Sequence, residues 1–282
     1  MLKITLVLAS LTALIFFFFD QKQEKGGTAT GIAAASFERL ATLPSVISES
    51  SGIEAMPTKG HFLTHNDAGN KPHLYEINEQ GKLVATHKLS LPNVDWEDLA
   101  RDSKGNLYIA DTGNNNNKRK ELAVYKTSLE NPKELQAIRF TYEDQQDYPP
   151  AKKDMNFDCE AIFWHGGSLY LVSRDRGQKQ TAKVYQLPDQ PGTHKAKLIG
   201  EHKLKGQVTG ATISPDAQTV VLVSNEKLHL FRNVDKPAEF YKGDYEEVDL
   251  PNAGQTEAAT FVDDKTLMIT SEGSNLYRYR LQ

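Results

Sequence analysis

The sequence of 282 residues lacks the residues and motifs that mark the familiar catalytic and metal sites. Its one cysteine, Cys159, excludes an internal disulfide and any zinc site built on several cysteines. Its eight histidines never occur as H-E-x-x-H, and it has no G-x-S-x-G, Walker or G-x-G-x-x-G motif. The formal net charge is −4, and the one basic cluster is Lys118–Lys120. We therefore expect no nucleic-acid partner, which would require a basic stripe.

Long hydrophobic runs are confined to the N-terminus, at Ile4–Phe19. This run is slightly short for a membrane span and long for the core of a signal peptide. No small-residue cleavage site follows it directly, so we expect residues 1–20 to be a membrane anchor rather than a cleaved signal. Residues 21–35 are expected to form a flexible tether. The domain at 36–282 would then be exported and held at a bacterial inner membrane, in the periplasm, or released as a soluble exported form if cleavage occurs.

The domain is built from a repeated strand pattern. Five β-rich apolar runs each end in a small polar or acidic residue and are each followed by an aromatic strand: His61–Asn66, Leu107–Asp111, Leu169–Ser173, Val220–Ser224 and Leu267–Ser271. A start signal precedes each run, at positions spaced 46, 63, 49 and 48 residues apart: Ser51, Glu97, Glu160, Thr209 and Glu257. A repeat of about 40 to 50 residues with several strands is typical of a β-propeller. The sequence thus predicts an all-β, five-bladed β-propeller, with no helix after the anchor.

The chain ends predict how the ring closes. In the inner units a fourth strand closes the unit, for example Leu83–Leu89 and Lys197–Leu204. The last unit stops after its third strand, at Gln282, and Phe37–Pro44 resembles the outer strands of other units. We expect this N-terminal strand to complete the last blade and so remove an exposed sheet edge. A sixth blade would have to lie in the long second unit, whose extra length we assign instead to the loops Asn114–Lys120 and Tyr142–Asn156.

Propeller topology predicts a polar site at one mouth of the central channel. The innermost strand of each blade starts at the face where the second strand ends, so the five start signals should converge there. Three of them are carboxylates, which repel one another unless a cation or shared protons intervene. Oxygen ligands without histidine or cysteine suit calcium. The alternative is that the glutamates simply bond neighbouring backbone amides.

Several segments resemble the calcium-activated nucleotidase (apyrase) family in the same order: Glu97–Ala100, Glu160–Trp164, Thr209–Pro215 and His65–Gly69, although that family has a phosphate-facing arginine where Ala68 stands. The resemblance implies a five-bladed propeller with one calcium in its channel, held by one residue from each blade. The matching positions, with threonine replacing the family's second serine, are Ser51, Glu97, Glu160, Thr209 and Glu257. A looser likeness, in Asn66–Asn70 and Asp95–Ala100, is to exported bacterial propellers described as phytase-like or SdiA-regulated, and it implies no chemistry.

The sequence leaves three functions open and does not decide whether the protein is an enzyme. We favour a tethered module that binds an anionic small molecule, a glycan or a protein at this face, through Trp96, His65, Tyr108 and the loop Asn114–Asn117. Because Trp96 directly precedes Glu97, the alternative for this residue is packing between blades. The alternative is a calcium-dependent hydrolase of a phosphorylated or other anionic small molecule. Its candidate catalytic residues are Asp67 or Asp111 on the attacking water and Arg174, or its neighbour Arg176, on the leaving phosphate. These residues are also natural turn formers. A propeller without any small ligand is the third reading.

Overall fold

The computed structural model describes residues 37–282. The predicted anchor at 1–20 and tether at 21–35 lie outside the described residues. Within the described part of the chain, no helix is both long and apolar enough to cross a membrane.

The described chain is all-β, as the sequence predicts. Its only helical elements between residues 37 and 282 are two short 3-10 segments, Lys152–Asp154 and Pro237–Lys242. The twenty strands are β1 Phe37–Thr42, β2 Ser50–Ala55, β3 His61–Asn66, β4 His73–Asn78, β5 Leu83–Lys88, β6 Trp96–Arg101, β7 Leu107–Asp111, β8 Leu122–Thr127, β9 Gln136–Tyr142, β10 Asp158–His165, β11 Ser168–Arg174, β12 Thr181–Pro188, β13 Gly192–Lys203, β14 Val208–Ile213, β15 Val220–Ser224, β16 Lys227–Arg232, β17 Asp244–Asp249, β18 Thr256–Asp263, β19 Thr266–Ser271 and β20 Asn275–Arg280.

Consecutive strands pair antiparallel in fours. Strands β2–β5 form one sheet and β14–β17 another, each in chain order. Strands β18, β19 and β20 form a third sheet, which β1 completes by pairing antiparallel with β20. Phe37 lies opposite Tyr279 and its ring stacks on that of Tyr277 at a centroid distance of 5.0 Å. The predicted closure of the last unit by the N-terminal strand is confirmed.

The remaining eight strands form one continuous sheet. Strands β6–β9 and β10–β13 are two antiparallel runs of four, and a parallel pairing of β9 with β13 joins them at their outer edges. Strand β13 is long because it has two partners: residues 192–196 pair with β9, and residues 197–203 pair with β12. The sequence did not predict this junction.

The hydrophobic core is a cycle of five layers, each between two neighbouring runs of four strands. The first strands of these runs, β2, β6, β10, β14 and β18, contact one another in turn, and β18 returns to β2. Trp96 and Leu99 of β6, for example, pack on Leu63 and Leu74 of the preceding sheet. Burying each such leucine stabilises the fold by roughly 1.5–3 kcal/mol. The five first strands therefore surround a central channel.

Asp98 on β6 ties three of these first strands together. Its Oδ1 accepts the amide of Leu99 at 2.8 Å, and its Oδ2 accepts the amides of Ile162 on β10 at 2.9 Å and Ala211 on β14 at 3.3 Å. Those amides lie on strand edges that face the channel, where no further strand pairs with them. Burial raises the pKa of Asp98, and the three amide donors oppose that shift.

Candidate functional site

One mouth of the channel holds a small cavity of about 120 Å³, here called the carboxylate cavity. Every lining residue is polar or charged, and no histidine or cysteine is among them: Glu49, Ser50, Ser51, Asp67, Glu97, Asn115, Glu160, Arg174, Arg176, Gln255, Glu257 and Glu272. Four of the five residues predicted as metal ligands are in this set. The fifth, Thr209, lines the adjoining groove, together with Glu257.

A β-bulge positions each of the five predicted ligands. Near its start, every first strand shifts register against its second strand across one residue, and these residues are Ser51, Glu97, Glu160, Thr209 and Glu257. A bulged residue has no partner on the neighbouring strand, so its side chain is free to turn away from the sheet face. The five positions are thus structurally equivalent, and the equivalence arises from the backbone.

Three of the bulge residues carry polar side chains without partners. Glu97 is 4% exposed, Ser51 7% and Glu257 9%. None of these three side chains forms a hydrogen bond or ion pair with any residue in the described range 37–282. Burying an unpaired carboxylate is costly unless a proton or a cation compensates its charge.

Glu160, in contrast, is fully paired. Its Oε2 accepts Arg174 Nη1 at 2.9 Å, and its Oε1 accepts Arg176 Nη2 at 2.6 Å. Arg176 also donates through Nε to Asp158. These two arginines form ion pairs with Glu160 and Asp158, and neither forms one with Glu97 or Glu257.

Three glutamates of the cavity have raised pKa values. Burial raises the pKa of Glu97 well above its usual value, and the charges of Glu160 and Asp67 add to this. Burial also raises the pKa of Glu257 to about 8, although Arg174 opposes the shift. For Glu160, burial and the neighbouring Asp158 raise the pKa to about 8 against the pull of its arginines. Without a cation, burial and mutual repulsion therefore favour the protonated forms of Glu97 and Glu257.

Two carboxylates that the sequence analysis missed complete the cluster. Asp95, Asp67 and Glu97 bring carboxylate oxygens within 4.8 Å of one another, and Asp158, Glu160 and Glu97 do the same. Glu97 belongs to both groups. The available signal was an acidic residue two positions before the bulge, in Asp95-Trp96-Glu97 and again in Asp158-Cys159-Glu160.

Gly113 makes room for this cluster. A Cβ atom at that position would overlap Glu97 Oε1 and the carboxyl group of Asp95. The two acidic side chains therefore lie directly against the Gly113 backbone, and only glycine permits that approach.

Of the residues predicted to catalyse hydrolysis, some line the carboxylate cavity and one does not. Asp67 and Arg174 both line the carboxylate cavity, and Asp67 accepts the amide of Ala68 in its turn. Asp111 does not line it: its carboxylate is buried, binds Arg119 at 2.9 Å and accepts the amides of two residues in the loop before β6. The contacts of Asp111 therefore hold the backbone before β6 and do not face the cavity.

The aromatic residues expected at the ligand-binding face are in the core. Trp96, His65 and Tyr108 are fully buried, so the prediction that His65 and Tyr108 face a ligand is wrong. For Trp96 the alternative holds, because its side chain packs between sheets. The loop Asn114–Asn117 is also partly buried, because Asn114 and Asn117 bond the backbone around Phe157. In this loop only Asn115 lines the cavity.

Comparison with solved structures identifies the architecture. A gluconolactonase from Xanthomonas campestris is similar at 13% identity, with a TM-score of 0.52 over 90% of this chain and 94% of that one. The PQQ-bound aldose sugar dehydrogenase from Streptomyces coelicolor is similar at 10% identity, with a TM-score of 0.50 over 86% and 98%. The fold is β-propeller-like. A glucose dehydrogenase gives the same result, at 8% identity and a TM-score of 0.52 over 87% and 99%.

At these identities, the likeness of this β-propeller-like chain to the three enzymes extends to the fold alone. No family model matches the chain, and no curated protein matches it. The resemblance to the calcium-activated nucleotidase and phytase-like propellers is not confirmed by these comparisons.

Proposed function

We propose that this chain is a five-bladed β-propeller that binds one calcium ion in the carboxylate cavity and uses that mouth of the channel to bind a ligand. The five-layer core and the five equivalent bulges support the blade count, with the parallel β9–β13 pairing joining two blades at their rims. The unpartnered, buried side chains of Glu97 and Glu257 in one cavity carry the proposal of a cation.

Calcium fits the donor set better than a transition metal does. The cavity offers carboxylate, hydroxyl and amide oxygens without nitrogen or sulfur ligands, and calcium takes six to eight oxygens in flexible geometry. Ser51, Glu97 and Glu257 would hold the ion, with Glu160 and Asp67 beside it. Thr209 Oγ1 donates to the carbonyl of Thr256 at 2.8 Å, which leaves its lone pairs available.

The proposal also covers the cellular location of the protein and its ligand. The apolar run at residues 4–19 supports a membrane anchor, which would place the propeller in the periplasm of a bacterium, or in soluble exported form after cleavage. Its ligand would be an anionic small molecule, a glycan or a protein at the mouth that holds the ion. Such a module needs no reactive nucleophile.

A calcium-dependent hydrolase of an anionic small molecule is the second candidate. The observation that favours it is that Asp67 and Arg174 line one cavity. Burial raises the pKa of Asp67, which suits a carboxylate that orients a water and takes its proton. Arg174 would bind the oxygen that leaves. A bound calcium would supply charge compensation for the substrate.

The ion is tested by thermal unfolding of the full-length protein with calcium and with chelator. Binding to the folded form alone stabilises it by about 2.7 kcal/mol at a hundredfold excess over Kd, which corresponds to a melting temperature about 5–10 °C higher. Glu97→Gln and Glu257→Gln should each remove most of this response. Glu226→Gln is the matched control, because Glu226 is exposed and accepts the Gly254 amide outside the cavity.

Equal melting temperatures with calcium and with chelator would contradict the ion. Incubating the calcium-loaded protein with nucleoside di- and triphosphates, phytate and simple phosphoesters then separates the two candidate functions. Phosphate release that stops with chelator would establish the hydrolase, whereas inactivity on every compound would favour the binding module.

A further inference from the structure

A second depression adjoins the carboxylate cavity and has the opposite charge. This basic groove, about 370 Å³, shares Arg174, Gln255 and Glu257 with the carboxylate cavity and contains three lysines. The three lysines are Lys179, Lys205 and Lys227.

The basic groove lies between neighbouring sheets. Lys179 is in the turn between β11 and β12, and Lys205 is in the connection from β13 to β14. Lys227 opens β16 of the next sheet, and Glu257 belongs to the sheet after that. Loops from separate blades thus converge on this groove, as they do in ligand sites of β-propeller architectures.

The cations of the groove are not equally available. Lys227 is committed to Glu247 and Asp249, at 2.5 and 2.8 Å. Lys179 and Lys205 are exposed and form no ion pair within residues 37–282. These two lysines therefore contribute positive charge that no described carboxylate neutralises.

Arg174 adds a donor at the boundary of the two depressions. Its Nη1 is held by Glu160, whereas its Nη2 forms no hydrogen bond in the described part of the chain. An oxygen atom of a ligand in the groove would accept a hydrogen bond from this nitrogen.

We infer that the basic groove binds the oxyanion group, phosphate or carboxylate, of a small molecule whose oxygens also reach the ion held by Glu257. This inference rests on the proposed calcium site. Glu257 lines both depressions, so an ion bound to it faces the groove and needs further oxygens to complete its shell. An anion placed there meets the ion on one side and the two free lysines on the other. The ligand class is therefore an acidic small molecule, and an uncharged sugar would not be selected.

Three hexoses test the inference by calorimetry on the full-length protein: glucose 6-phosphate, glucuronate and glucose. They carry a phosphate, a carboxylate or no anion, so the two sources of oxyanion are distinguished. Calcium is removed with a chelating resin, because soluble chelators are polycarboxylates and would compete for the groove. Measurements near physiological ionic strength suppress attraction by the net charge alone.

We expect the phosphate or carboxylate sugar to bind and glucose not to bind, with calcium raising the affinity about tenfold. The double substitution Lys179→Gln, Lys205→Gln should weaken binding about fivefold, as expected for two exposed charged contacts. The matched control, Lys104→Gln with Lys265→Gln, removes the same charge from the β6–β7 and β18–β19 turns outside the groove and should have no effect.

Unchanged affinity of the Lys179, Lys205 variant for the anionic sugars, or equal affinity of the wild-type protein for glucose, would contradict the proposed role of the basic groove. Calcium titrated alone tests the ion separately. If calcium alone gives no signal, the proposed function fails, while lysine-dependent binding of the anionic sugar to the calcium-free protein would still support the groove.

Discussion

His229 is a buried imidazole whose two nitrogens are both occupied. Its Nε2 lies 2.8 Å from Ser224 Oγ, and its Nδ1 lies 2.8 Å from the Tyr245 hydroxyl. Burial lowers its pKa from 6.5 to about 4. The folded protein therefore holds the neutral ring where the unfolded chain would protonate it. This stabilisation is complete above pH 6.5 and is lost as the pH falls towards 4.

The pH dependence of unfolding measures this contribution. Denaturant titrations from pH 7 to pH 4.5 should show wild-type protein losing up to about 3 kcal/mol of unfolding free energy relative to His229→Gln. His194→Gln is the control, because the ring of His194 bonds only the Gln190 carbonyl at the surface. Parallel profiles for wild type and His229→Gln would show that the ring keeps an ordinary pKa.

The location of the candidate site was predictable from the sequence, but its charge balance was not. The start signals gave Glu97, Glu160 and Glu257 as equivalent residues because they recur at one place in the repeat. Their different pairing depends on Arg174 and Arg176, which form ion pairs with only one of the three glutamates, Glu160. No repeat encodes which carboxylate an arginine reaches, since that depends on side-chain packing at one blade.

At the scale of strands, β1 links the two ends of the chain. Glu38 binds Arg278 at 2.7 Å, and the Leu43 amide donates to the Ser274 carbonyl at 2.6 Å. Leu43 is also buried in the layer between the last sheet and the first.

Removal of residues 1–44 should expose the edge of β20, lower the melting temperature and cause aggregation. Removal of residues 1–27 keeps β1 and should do neither. Identical melting curves for the two shortened chains would disprove the role of β1 in closure.

The order of strands was predictable, and one pairing was not. The sequence predicts β1 on β20 because the last unit lacks a fourth strand. It predicts only the second half of β13, at Lys197–Leu204, because that half follows the pattern of the other outer strands. The first half pairs with β9 through backbone bonds at Gly192–Ala196, and such bonds need no particular side chains.

At the scale of the whole molecule, the carboxylate of Asp98 controls hydrogen exchange at two backbone amides that it binds. The amides of Ile162 and Ala211 are bonded to a side chain in another run of four strands, so fraying of their own strands does not release them. They should exchange with deuterium only when the ring opens, at the rate set by global unfolding. Amides of the rim strand β17 should exchange far sooner, through local opening. Exchange of Ile162 and Ala211 as fast as that of β17 would mean that the blades separate while each stays folded. Slow exchange at these two amides would then report the rate at which the whole propeller opens.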